Sequence, residues 1–153
     1  MRYHEIITEA QTPKADWIMP SDSDLLLEFK YEYENRDWER RCDRIDAMYP
    51  LFEDGQDFIQ KVKAGQVRSF SESDRVENTT YFDLDTLREV VAGYAYPRDV
   101  DRIIAGFAAG TPMPMPIIIE GSDGSWILSG NTRSNIAYTM GLPCKAIWIN
   151  AEY

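Results

Sequence analysis

Apolar residues recur at helical spacing along much of this chain and at strand spacing toward its C-terminal end. Trp38, Cys42, Ile45 and Tyr49 fall at i, i+4, i+7 and i+11, which predicts an amphipathic helix halted by Pro50. A second helix is predicted after Asp54, whose carboxylate suits an N-cap. Phe58, Ile59 and Val62 form its stripe, and Gly65 suits a left-handed residue just past its end. The run Leu25-Leu26-Leu27-Glu28-Phe29 is apolar, but periodicity leaves helix and strand both open there. Residues 69–80, rich in Ser, Glu, Asp and Asn, read as a polar, mobile connector between two halves.

From Asp83 the pattern sharpens. Asp83 suits the N-cap of a helix carrying Leu84, Leu87, Val91 and Tyr94, and Tyr96-Pro97 breaks it. Pro97, placed at a first helical position, opens a second stripe of Val100, Ile103, Ile104 and Phe107 that ends at Gly110, so a helical hairpin is expected. After the Pro-rich stretch 111–116 come two predicted strands, 117–120 and 125–128, joined as a β-hairpin by Gly121-Ser122-Asp123-Gly124. Trp126-Ile127-Leu128 runs into Ser129-Gly130-Asn131-Thr132-Arg133, after which Arg133, Ile136, Ala137 and Met140 share one helical face. Gly141, Leu142 and Pro143 stop that helix, and a hydrophobic strand reaching Ile149 follows.

Composition narrows the class. The 153 residues suit one ordinary domain, and 44% hydrophobic with 27% charged residues is too apolar for intrinsic disorder. An acidic, helical N-terminal part (1–75) packed on a C-terminal α/β unit (76–153), together one compact α+β domain, is therefore expected. No apolar run approaches the roughly 18 residues of a membrane span, and His4 and Glu5 stand where a signal peptide would be basic and apolar. A cytoplasmic protein without membrane contact is the expectation. Cys42 and Cys144 lie apart with no CxxC spacing, so each reads as a small buried hydrophobe, and no metal ligands are assigned. The single histidine, His4, gives a hydrolytic triad no good seat.

The formal charge is −10, from 16 basic and 26 acidic residues, which repels a nucleic-acid backbone and disfavours direct DNA binding. Arg36, Arg40, Arg41 and Arg44 cluster, yet Asp37, Glu39, Asp43 and Asp46 interleave with them as on a solvated helix face.

A strand feeding a Gly-led turn into a helix presents unpaired backbone N–H groups at the positive end of the helix dipole, which is an anion site. Gly130 permits close approach, Asn131 and Thr132 can donate hydrogen bonds, and Arg133 adds a charge-assisted contact. Spacing alone also allows a plainer reading, in which Asn131 or Thr132 caps the helix and Arg133 is solvated.

The run Pro116-Ile117-Ile118-Ile119, then Asp123-Gly124-Ser125-Trp126-Ile127-Leu128-Ser129-Gly130-Asn131-Thr132-Arg133, then Ala137 and Gly141, resembles the ParB/sulfiredoxin superfamily. That pattern joins a Pro-opened strand, a hairpin strand, a Gly-x-x-Arg loop and a helix ending in Gly. The resemblance implies a small mixed sheet with packed helices that binds a nucleotide, ATP or another NTP with Mg²⁺. In that family, ParB-like members bind and hydrolyse CTP, relatives bind ATP or ADP, and some are small-molecule kinases. Ser129, Gly130, Asn131, Thr132 and Arg133 would then hold phosphates, with Pro116 and Ile117 from the strand opening and Arg98 beside Pro97. Asn131 and Thr132 stand where sulfiredoxins carry their cysteine, so sulfinic acid reduction is disfavoured. No helix-turn-helix follows the unit, so partitioning is not expected.

Phosphoryl transfer needs positioning, a divalent metal and a base near the attacking hydroxyl or water. Asp83 reads first as a cap, leaving Asp85, Glu89 and Glu120 as the candidate catalytic carboxylates, with a solvent-facing role the plain alternative for Glu89 and Glu120. Lys145 reads as an edge-strand charge. Trp126, Trp148, Tyr94 and Tyr96 could each stack a base; Trp126 and Trp148 read first as core, and Tyr96, in the Tyr-Pro break, is the better stacking candidate. The function expected is an NTPase or small-molecule kinase with an acceptor the sequence does not name. The alternative is a non-catalytic acidic protein, or DNA mimic, that occupies a basic partner surface. A DNA-bound regulator ranks last. The compact size is compatible with a homodimer, although nothing in the sequence specifies one.

Overall fold

The computed structural model describes residues 13–34, 51–94, 98–121 and 124–151. The predicted helix of Trp38, Cys42, Ile45 and Tyr49, the arginine cluster 36–44, His4 and Tyr96-Pro97 lie outside them. The chain is an α+β fold in which helices pack on a mixed sheet. In order, the elements are β1 (Asp16–Ile18), α1 (Asp22–Glu28) continued by a π-helical segment (Phe29–Glu34), α2 (Gly55–Lys63), β2 (Gln66–Ser69), a 3-10 turn (Glu72–Asp74), α3 (Leu84–Ala92), α4 (Val100–Ala109), β3 (Pro112–Pro114), β4 (Ile117–Gly121), β5 (Gly124–Ser129), α5 (Asn131–Thr139) and β6 (Lys145–Asn150).

The main sheet runs β2-β6-β4-β5. The β4–β5 hairpin is antiparallel, β6 lies parallel to β4, and β2 is antiparallel to β6 at the edge. A small parallel pair, β1 with β3, ties residues 16–18 to the Pro-rich approach. Alternation along the strands builds two apolar faces. Ile117, Ile119, Trp126, Leu128, Ile147 and Ile149 face α1 and α2, where Leu25, Phe58 and Val62 are fully buried. Ile118, Ile127, Ala146 and Trp148 face the other way, under Phe70 and Val76. A third cluster joins α3, α4 and α5 through Leu87, Val91, Val100, Phe107, Ile136 and Ala137. The N-terminal half thus supplies one cover of the sheet and two strands that the periodicity did not place.

Local chemistry explains most boundaries. Asp54, Asp83 and Asp99 each cap a helix by accepting the backbone N–H three residues on, each worth about 1 kcal/mol. Gly141, at φ 72°, closes α5 in a Schellman arrangement, with Leu142 N–H on Ala137 O and Gly141 N–H on Tyr138 O.

Four expectations are corrected. Gly65 does not take the left-handed conformation: Ala64 ends α2, and Gly65 is small because a Cβ there would stand 2.6 Å from Ile147 Cγ2. The helix after the break starts at Val100 under the Asp99 cap, not at Pro97. Residues 69–80 are no loose connector: Phe70 and Val76 are buried, and Glu77 bonds to both Ser125 and Ile127 of β5. Lys145 sits on an inner strand, because β6 lies between β2 and β4. Among the described residues no helix is long and apolar enough to cross a membrane.

Candidate functional site

The site is made where β5 becomes α5. A β-bulge interrupts the hairpin near its open end: Ile118 pairs with Ile127 but Ile117 with Ser129, leaving Leu128 as the extra residue. Gly130 then turns the chain at φ 94°, and a Cβ there would lie 2.8 Å from both Cα and Cβ of Pro116, so glycine is demanded twice over. Gly130 is also the N-cap of α5, and no side chain caps that helix. Its opening turn therefore aims N–H groups outward without a side-chain acceptor.

A cavity of about 330 Å³ opens over this turn, within the range of roughly 300–1,000 Å³ usual for small-molecule sites. Ser129, Gly130, Asn131, Thr132 and Arg133 form its floor. Arg98, Tyr94 and Ile103 come from the α3–α4 hairpin, Glu28 from the end of α1, and Asn78 from the segment before α3. Ser129 is 4% exposed, and its hydroxyl has no hydrogen-bond partner among the described residues. Arg133 donates from Nε to Pro114 O at 2.6 Å and from Nη2 to Met115 O at 3.3 Å, which fixes the plane of its guanidinium at the cavity wall. A second cavity of about 220 Å³ shares Glu28 and Arg133 with the first, and Ile117 lines it.

The remaining expected residues fall in different places. Pro116 is buried behind Gly130 and acts as its backing. Asn131 lines the cavity, but its side chain is engaged sideways: Nδ2 donates to Asn78 O at 2.7 Å, and Oδ1 accepts from Thr80 N–H at 3.1 Å. Asp85 pairs with Arg88 at 2.8 Å on the exposed side of α3, Glu89 is exposed on the same helix, and Glu120 pairs with Arg68 at 2.9 Å. None of these three carboxylates lines the cavity. Asp83 is a cap, and the Thr86 backbone N–H holds its carboxyl below the usual carboxylate range. Trp126 and Trp148 are buried at 4% and 6% exposure, whereas Tyr94 stands at the cavity, 38% exposed.

Glu28 is the carboxylate that the pattern reading did not single out. Its run was ambiguous between helix and strand, so no face could be assigned to it; the end of α1 now directs it to the cavity. Among the described residues no group of three or more His, Cys, Asp or Glu side chains is placed to hold a metal ion. A divalent cation here would take its ligands mainly from phosphate oxygens and water, as Mg²⁺ commonly does, with Glu28 as the protein carboxylate.

Fold and site together define an α+β protein with a cavity over a strand-loop-helix junction. No protein-family model, curated protein or solved structure matches the chain.

Proposed function

We propose that this chain is a ParB-like nucleotide-binding protein of the cytoplasm, which holds an NTP by its phosphates over residues 129–133 and, with Mg²⁺, hydrolyses it or passes its terminal phosphoryl group to a small molecule. One observation carries the reading: the uncapped N-terminus of α5 shares its cavity with Ser129, whose buried hydroxyl has no hydrogen-bond partner among the described residues. A buried hydroxyl without a partner costs free energy that a phosphate oxygen would recover. Arg98 and Arg133 supply positive charge to the same cavity, and Tyr94 offers a face for the base. For the transfer itself, Glu28 is the carboxylate at hand. The attacking oxygen bonds to phosphorus as the bond to the leaving diphosphate breaks, and the attacking group's proton passes to Glu28.

Isothermal titration of ATP, ADP, CTP and GTP, with and without Mg²⁺, tests the reading. Ser129→Ala is expected to weaken the nucleotide that binds by about 10-fold or more while leaving the melting temperature unchanged or raising it, since it removes an unsatisfied buried group. No binding by any of the four at millimolar concentration would overturn the proposal.

A further inference from the structure

The cavity has one wall that the loop does not supply. Residues 78–82 cross in front of α5 and are pinned to it by side chains. Asn131 reaches Asn78 and Thr80, and one turn on, Asn135 accepts from Thr80 Oγ1 and Phe82 N–H, both at 2.9 Å, and donates to Phe82 O at 2.8 Å. This clamp sets Asn78 at the cavity with φ 64°, a left-handed conformation rare outside glycine. Asparagine is among the few non-glycine residues that adopt it readily, so residue type and backbone agree here. The Asn78 carbonyl is bonded, and its carboxamide, on an exposed residue, makes no hydrogen bond to the described residues and is open to solvent or a ligand. It shares the cavity with the uncapped turn of α5 and with Ser129, whose buried hydroxyl has no partner among the described residues, so donors from three sources line one place.

We propose that Asn78 is a phosphate-binding residue of this site and that Asn131 is its positioning residue. The Asn78 carboxamide N–H donates to a phosphate oxygen held over α5, and Asn131 acts at one remove by fixing the backbone of residue 78. The inference rests on the phosphate reading above and adds a donor from outside the loop. It also gives Asn131 a role distinct from direct ligand contact.

Asn78→Gly is the decisive variant, because glycine takes positive φ without steric cost, so the backbone stays and only the carboxamide goes. The probes are ATP and inorganic tripolyphosphate, titrated into the full chain by calorimetry. Asn78→Gly is expected to weaken both by the same factor, about 10- to 100-fold, with an unchanged melting temperature. Asn131→Ala is expected to weaken both as well, and to add little in the Asn78→Gly background, since the two act through one contact. Wild-type affinity in Asn78→Gly overturns the assignment, as does a loss confined to ATP, which would place the contact on the nucleoside. Additive losses in the double variant overturn the positioning role of Asn131. Failure of the wild-type chain to bind either probe overturns the phosphate reading itself, an outcome separable from the others.

Discussion

At the scale of single residues, burial decides which polar groups are available for chemistry. Ser129 and Cys144 are a contrasting pair. The Ser129 hydroxyl is enclosed and has no hydrogen-bond partner among the described residues, on a residue that lines a cavity. The Cys144 thiol is held neutral: burial pushes its pKa up to about 12, and the charge of Arg133 offsets this only in part. The thiolate is the reactive form, so burial slows the reaction of the half-buried Cys144 near neutrality. Its folded pKa exceeds the unfolded value of about 8.5, so its contribution to stability is whole below that value and is lost as the pH climbs toward 12. In a Cys42→Ser chain, labelling of Cys144 by a thiol reagent at pH 8 should be at least about 10-fold slower when folded than in denaturant. Equal rates would show that the thiol is not shielded.

At the scale of elements, α5 carries two different messages on two faces. Ile136 and Ala137 are fully buried against α3 and α4, as the apolar spacing predicts. Asn131, Asn135 and Thr139, at i, i+4 and i+8, form a polar stripe that binds residues 78–82. Asn135 is fully buried with both ends of its amide bonded. Replacing it with alanine orphans the Phe82 N–H and leaves the Phe82 carbonyl only the Thr139 hydroxyl, at an expected cost of about 2 kcal/mol in urea unfolding, and a loss under about 1 kcal/mol would refute the clamp. This division explains what could be read beforehand. Helices with an Asp cap and a regular apolar stripe, and a hairpin with a Gly-rich turn, announce themselves through local chemistry. The polar stripe of α5 did not, because asparagine on a helix looks solvated until the segment it bonds has been placed. Glu28 and Asn78 were hidden for the same reason: each reaches the cavity by tertiary packing across about 50 or 100 residues of chain, and neither lies in a motif.

At the scale of the whole molecule, the two halves share one sheet and one core. Leu25, Phe58, Ile59 and Val62 cover the face formed by Ile117, Ile119, Trp126, Leu128, Ile147 and Ile149, and Trp17 Nε1 donates to Pro143 O at 2.8 Å. Burying a large apolar side chain contributes about 1.5–3 kcal/mol, so uncovering six of them would cancel a net stability of about 5–15 kcal/mol. Residues 76–153 produced alone should therefore show no cooperative thermal transition and a flat near-ultraviolet circular dichroism spectrum. A sharp transition in that fragment would mean that the C-terminal unit folds independently. The same arrangement explains why Glu28, from the first half, stands in a cavity floored by the second.

The place of β6 in the sheet bears on how the chain is made. A ribosome delivers β2 and β4 first, and each waits for 145–150 to arrive between them. At about 5–20 residues per second, the gap between the end of β2 and the start of β6 lasts roughly 4–15 s. Throughout that interval the nascent protein holds β2 without its partner, and for roughly the last 1–5 s it also holds an isoleucine-rich strand, β4, whose edge toward β6 is open. Gln66, Arg68 and Ser69 keep β2 polar enough to wait in water, and the cell's protection during synthesis is needed chiefly for β4.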